Sequence, residues 1–172
     1  MYRIYLMILA TFQIHMLPAS IVDSSFHGFT IMHEMELENE PSEAFRAFVE
    51  DLAKWWNGSH SFSANAENMY FNLEDKGCLC ESWGEGNLVR HMDLVNLQPG
   101  SLIVLRGGLG PLQMMAVQGS MSISFEPIET GTKVRLVYRV GGYAPSGLAS
   151  LARPVDYVLG EQMQRFEQFM KN

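Results

Sequence analysis

Apolar and polar residues alternate along Phe29-Thr30-Ile31-Met32-His33-Glu34-Met35-Glu36-Leu37, the pattern of a strand with one face buried. The pattern stops at Asn39-Glu40-Pro41-Ser42-Glu43. Here a polar cap followed by proline in the first turn starts a helix. Ala44, Phe45, Phe48, Val49 and Leu52 then recur at helical spacing as far as Trp55-Trp56, and Asn57-Gly58 ends the run. Residues 62–140 change character again. Asp75-Lys76-Gly77, Gly84-Glu85-Gly86-Asn87, Gln98-Pro99-Gly100 and Glu129-Thr130-Gly131 are turn signals. They separate five expected strands, Cys78–Trp83, Leu88–Leu97, Ser101–Arg106, Ser120–Glu126 and Lys133–Val140, which short turns join into an antiparallel meander.

The last segment returns to a helical period. Val155, Val158, Leu159, Met163, Phe166, Phe169 and Met170 make one apolar stripe, with Glu161, Gln164, Arg165, Glu167 and Lys171 opposite. Strand, helix, meander and long amphipathic helix predict an α+β domain, a sheet with its helices on one face. Gly107-Gly108-Leu109-Gly110-Pro111 is expected as a loop at the mouth of whatever the sheet encloses.

Composition narrows the class. In 172 residues, 47% are hydrophobic and 18% charged, which describes one globular domain. A net charge of −7 with no Lys/Arg cluster excludes phosphate-backbone binding and argues against anionic membrane surfaces. Twelve methionines suit a pliable core or cavity lining. Near the start stand Arg3, an apolar run Ile4–Phe12, then Pro18-Ala19-Ser20, the layout of a secretory leader. Residues 1–24 are therefore expected as a signal peptide, cut after Ala19, Ser20 or Ser24, and residues 25–172 as the domain. A periplasmic or secreted protein follows, with no stable membrane insertion once the leader is gone. An uncleaved N-terminal anchor and a buried N-terminal strand are the alternatives.

On particular residues the chain resembles the SRPBCC superfamily of START domains, birch-pollen-allergen-type proteins, polyketide cyclases and heat-shock-ATPase activator homologues. These residues are Glu40-Pro41-Ser42-Glu43-Ala44-Phe45, Trp55-Trp56 and the final helix. It is similar to an exported bacterial subset at Gly77-Cys78-Leu79-Cys80-Glu81, Leu109-Gly110-Pro111-Leu112-Gln113, Tyr138-Arg139-Val140-Gly141-Gly142-Tyr143, Val155-Asp156 and Leu159-Gly160-Glu161-Gln162. The resemblance implies a helix-grip fold, a curved antiparallel sheet around the C-terminal helix with an apolar cavity between. It implies no particular reaction.

The candidate chemistry centres on a hairpin. With Gly84–Asn87 as the turn, Trp83 pairs with Leu88, Cys80 falls opposite His91, and Cys78 opposite Asp93. The four side chains would share one face, a candidate metal site of thiolate, imidazole and carboxylate. A one-residue change of register dissolves it. A Cys78–Cys80 disulfide is a second reading, and two buried free thiols are the expectation. Glu81 and Arg106 are a candidate buried pair.

His60, in the loop Asn57-Gly58-Ser59-His60-Ser61, is a candidate acid/base or ligand anchor, although such loops more often cap backbone groups. His91 and Asp93 are the other acid/base candidates. Trp56, His60, Trp83, Met115, Tyr138 and Tyr143 are the candidate ligand contacts. Nucleophile and phosphate-loop motifs are missing, and no cofactor is expected. The expected partner is a small hydrophobic molecule. A cyclase, dehydratase or hydrolase acting on an apolar carbonyl compound, and an activator-like interaction module, are the alternatives.

Overall fold

The computed structural model describes residues 20–172. Eight strands form one antiparallel sheet: β1 (Ile21–Ser25), β2 (Gly28–Leu37), β3 (Met69–Asn72), β4 (Cys78–Trp83), β5 (Asn87–Gln98), β6 (Leu102–Arg106), β7 (Ala116–Ile128) and β8 (Gly131–Tyr143). Their order across the sheet is β1-β2-β8-β7-β6-β5-β4-β3. The helices are α1 (Pro41–Glu50), α2 (Leu52–Trp55) and α3 (Ala149–Met170). At about 1.5 Å per residue, α3 is roughly 33 Å long and runs beside the curved sheet as the gripped helix. This is the expected helix-grip α+β fold.

The five expected meander strands are present, most of them longer than the turn signals marked. Two strands escaped the pattern. β3 has four residues, too short for alternation to register. β1 lies in the segment expected as leader and pairs with β2 from Ile21↔Ile31 to Ser25↔Gly28. The folded domain thus begins before residue 25, and a cut after Ser24 would remove nearly all of this edge strand. The rest of the expected leader, residues 1–19, lies outside the described residues.

The single expected helix between strands is also two. At Asp51 the backbone leaves helical geometry (φ −103°, ψ 19°), so α2 starts afresh and delivers Trp55 and Trp56 to the core.

An aromatic cluster joins the helices to the sheet. Phe48 of α1 stacks against Trp55 at 4.8 Å between centroids, Phe166 of α3 at 5.0 Å and Phe125 of β7 at 5.7 Å. Such edge-on and tilted pairs add about 0.5–1.5 kcal/mol each beyond their burial. Together they fix the distance between α3 and the sheet at one end of the groove.

Curvature comes from bulges. The register slips between Leu79 and Cys80 on the β4–β5 pair, and between Leu94 and Asn96 on the β5–β6 pair. An extra residue bends its strand and breaks the alternation of faces. Accordingly His91 and Met92, adjacent in sequence, are both buried.

Candidate functional site

The other end of the groove is open. A cavity of about 460 Å³ lies between the first half of α3, the loop after β6 and the segment after α2, with His91 of β5 in its wall. Leu151, Pro154, Val155 and Val158 face it from α3, and Leu109 to Leu112 with Met114 and Met115 face it from the loop. Its polar groups are few, mainly His60 and His91 with Ser59 and Ser61. The volume falls within the range of about 300–1,000 Å³ typical of small-molecule sites.

The loop is held by Tyr138. The phenol is fully buried, donates to the Gly107 carbonyl at 3.0 Å and accepts from the Leu109 N–H at 3.0 Å. Burial pushes its pKa up to about 12, so it remains a hydroxyl at any physiological pH. The ring passes against Gly119, where a Cβ would come within 2.5 Å of Tyr138 Cε2 and 2.4 Å of the Gly107 oxygen. Only glycine lets β7 accept both contacts.

His60 is positioned by Asn57. The Asn57 side-chain oxygen accepts from Ser59 N at 3.0 Å and Ser59 Oγ at 2.9 Å, capping the short 3₁₀ turn Gly58–His60. Its amide nitrogen donates to Glu161 Oε1 at 2.5 Å, and its backbone N–H donates to Gln162 Oε1 at 2.7 Å. One asparagine thus orders the turn and ties it to α3. His60 Nε2 then meets Glu161 Oε2 at 2.8 Å, with both side chains about a quarter exposed (24% and 26%). Hydrogen bonds from Asn57 and His60 hold the Glu161 carboxyl below its ordinary pKa.

The second pair lies deeper. Glu81 of β4 is completely inaccessible and His91 is 3% exposed, with Nε2 to Oε2 at 3.0 Å. The Glu81 carboxylate also accepts the backbone N–H of Phe62 at 3.0 Å and of Ser63 at 2.5 Å. Burial works to raise the Glu81 pKa, but the bonds from Ser63, Phe62 and His91 outweigh it and the net shift is downward. His91 is also shifted down, because burial disfavours the imidazolium more than Glu81 favours it. Its Nδ1 is buried and has no hydrogen-bond partner among the described residues.

The expected hairpin cluster is corrected. Cys78 does face Asp93, but Trp83 pairs with Asn87 and Cys80 with Arg90, because the bulge inserts His91 as an extra residue. His91 turns into the protein, while Asp93 remains exposed and pairs with Arg90. Cys78 and Cys80 form a disulfide with Cα atoms 5.4 Å apart, so the expectation of free thiols is replaced. Among the described residues no group of His, Cys, Asp and Glu is arranged to hold a metal. The expected Glu81–Arg106 pair is likewise replaced. Glu81 takes His91, and Arg106 lies across from Asp93 at the β5–β6 pair.

Of the candidate ligand contacts, Trp56, His60 and Met115 line the cavity, and Trp83, Tyr138 and Tyr143 do not. Trp83 is at the hairpin tip, Tyr138 braces the loop, and Tyr143 is 70% exposed. Sequence reasoning missed Glu161 and Asn57 as members of the site. The helical period alone puts Glu161 on the solvent face of α3. Gln162, whose Oε1 accepts from the Asn57 N–H, is buried among the apolar stripe of α3, and the pattern gives no sign of its partner.

No family model and no curated protein matches this chain. Solved structures do. An uncharacterised protein from Rhizobium leguminosarum superposes with a TM-score of 0.59 at 18% identity, over 84% of this chain and 95% of the other. A protein from Mesorhizobium loti gives 0.57 at 14%, covering 83% and 96%. The di-domain ARO/CYC StfQ from the steffimycin biosynthetic pathway gives 0.55 at 11%, covering 85% of this chain and 51% of StfQ. At these identities the likeness establishes the fold, a START-like helix grip.

Proposed function

We propose that this protein binds a small, mostly apolar molecule in the cavity between α3 and the loop after β6, as a member of the SRPBCC superfamily. The observation that carries this reading is the cavity itself, large enough for a small organic ligand and walled by apolar side chains, aliphatic from α3 and the loop after β6 and aromatic from the segment after α2. The Cys78–Cys80 disulfide supports an exported location, since such bonds persist in oxidising compartments. The test is native mass spectrometry of the protein purified from its own source, followed by denaturation. Release of an apolar organic molecule from the wild type, and none from Val158→Arg, supports the reading. Recovery of ligand-free protein from both removes it.

A second reading is favoured by one observation. Two histidine–carboxylate pairs, His60–Glu161 and His91–Glu81, stand at the same cavity, the arrangement in which a carboxylate orients an imidazole for proton transfer. A cyclase-like or related acid/base reaction on an apolar carbonyl compound would use them, and one structural neighbour is an ARO/CYC protein. Asp93 drops out of this reading, being exposed and away from the apolar wall. Turnover that disappears in both His60→Gln and His91→Gln would establish it.

A further inference from the structure

The two nitrogens of His91 are in different situations. Nε2 lies 3.0 Å from Glu81 Oε2, and the carboxylate already accepts from the Phe62 and Ser63 N–H groups. An ionised carboxylate can only accept, so the nitrogen facing it must carry a proton. Burial keeps the ring neutral, which leaves one proton for the two nitrogens. Nδ1 is therefore a bare lone pair. It is buried, unpartnered among the described residues, and belongs to a ring that forms part of the cavity wall. A buried acceptor without a donor is unfavourable, and any ligand that supplies the donor removes that cost.

Resting on the cavity reading above, we propose that His91 Nδ1 is the polar anchor of the site, and that it selects apolar molecules carrying a hydroxyl donor, a phenol or an alcohol. The hydroxyl donates to Nδ1 while the apolar body lies against Val155, Val158, Leu109 and Met115. The same geometry disfavours carboxylate ligands. A carboxylate would present a second acceptor to the lone pair, with the buried Glu81 charge directly behind the ring. Glu81 acts here as a positioning residue. It fixes which imidazole nitrogen is protonated, as second-sphere carboxylates do for other histidines.

Three matched probes test this at neutral pH: 2-naphthol, 2-methoxynaphthalene and 2-naphthoate. Fluorescence titration of the full chain is expected to show 2-naphthol binding about 3- to 10-fold more tightly than 2-methoxynaphthalene, the equivalent of one net hydrogen bond. 2-Naphthoate should bind weakest, and His91→Leu should abolish the preference for the hydroxyl. Because His91→Leu deprives a buried carboxylate of a donor and could unfold the chain, a second measurement uses the wild type. Nitrogen-15 NMR of the His91 ring should show Nδ1 unprotonated, and its resonance should move on adding 2-naphthol but not 2-methoxynaphthalene.

A protonated Nδ1, or equal affinity for the two neutral probes with no Nδ1 response, overturns the anchor while leaving an apolar binding site in place. Failure of all three probes to bind removes the cavity reading, and the anchor with it.

Discussion

The two histidine–carboxylate pairs around the cavity have the same chemistry at different depths. His60–Glu161 sits at the rim, where water screens the charges and the geometry depends on one asparagine. His91–Glu81 is sealed inside, where the carboxylate must have a donor for each oxygen and receives two from the backbone of Phe62 and Ser63. Exposed pairs contribute about 0–1 kcal/mol, whereas removing one partner of a buried pair costs about 3–5 kcal/mol. The inner pair is therefore costly to break, and the outer pair contributes little.

The most severe test of that contrast is Glu81→Ala against Glu161→Ala. Glu81→Ala leaves two backbone donors and the His91 Nε2–H without an acceptor. It is expected to lower stability by about 3 kcal/mol or more, read from denaturant midpoints. Glu161→Ala is expected to lose less than about 1 kcal/mol. Similar losses would mean that depth does not separate the pairs.

The disulfide should come next. Cys80 precedes Glu81 and faces Arg90 beside the bulge, so the bond stiffens the strand that carries the inner pair. It closes a very short loop, and the chain-entropy relation gives about 1–2 kcal/mol for the Cys78→Ala/Cys80→Ala double variant. NMR of the two rings sharpens the comparison, since the His91 resonances should shift in this variant and those of His60 should not.

The smallest effect is a slope with pH. Burial holds the folded-state pKa values of His91 and His33 below the 6.5 of a free imidazole, although Glu81 and Asp156 pull the other way. Below about pH 6.5 the unfolded chain takes up protons that the native state refuses, so stability falls as pH drops through that value. His91→Gln and His33→Gln should each flatten that slope. The depressed Glu81 and Glu161 add a further loss below about pH 4.5, as they are protonated in the unfolded chain first. Stability that is level from pH 7 to 5 in the wild type would contradict both histidine assignments.

Much of the fold was legible because it rests on local period. The meander, the turns and the stripe of α3 are each encoded within a dozen residues, where alternation or helical spacing decides which side is wet. α1 began where Glu40-Pro41 required, and the glycine-rich loop lies at the cavity mouth as its composition suggested. β1 and β3 were not legible, being too short or too close to an apolar leader pattern for period to speak. The site was legible only in part. His60, Trp56 and Met115 could be read from sequence as cavity residues, but the partners that give the histidines their character could not.

The reason is the register. Sequence alone decides that β4 and β5 pair and that their faces alternate. Whether His91 shares a face with Cys80 or with Glu81 depends on one bulged residue in the curved sheet. In the same way, the helical period puts Glu161 on the polar side of α3 and Gln162, a polar residue, within the apolar stripe. Only the packing of the Asn57 turn against that helix makes them structural partners of the site. The sequence determined the elements and the apolar character of the cavity. Tertiary structure decided which histidines line it and which carboxylate each one meets, because that is set by contacts between residues that chain order keeps far apart.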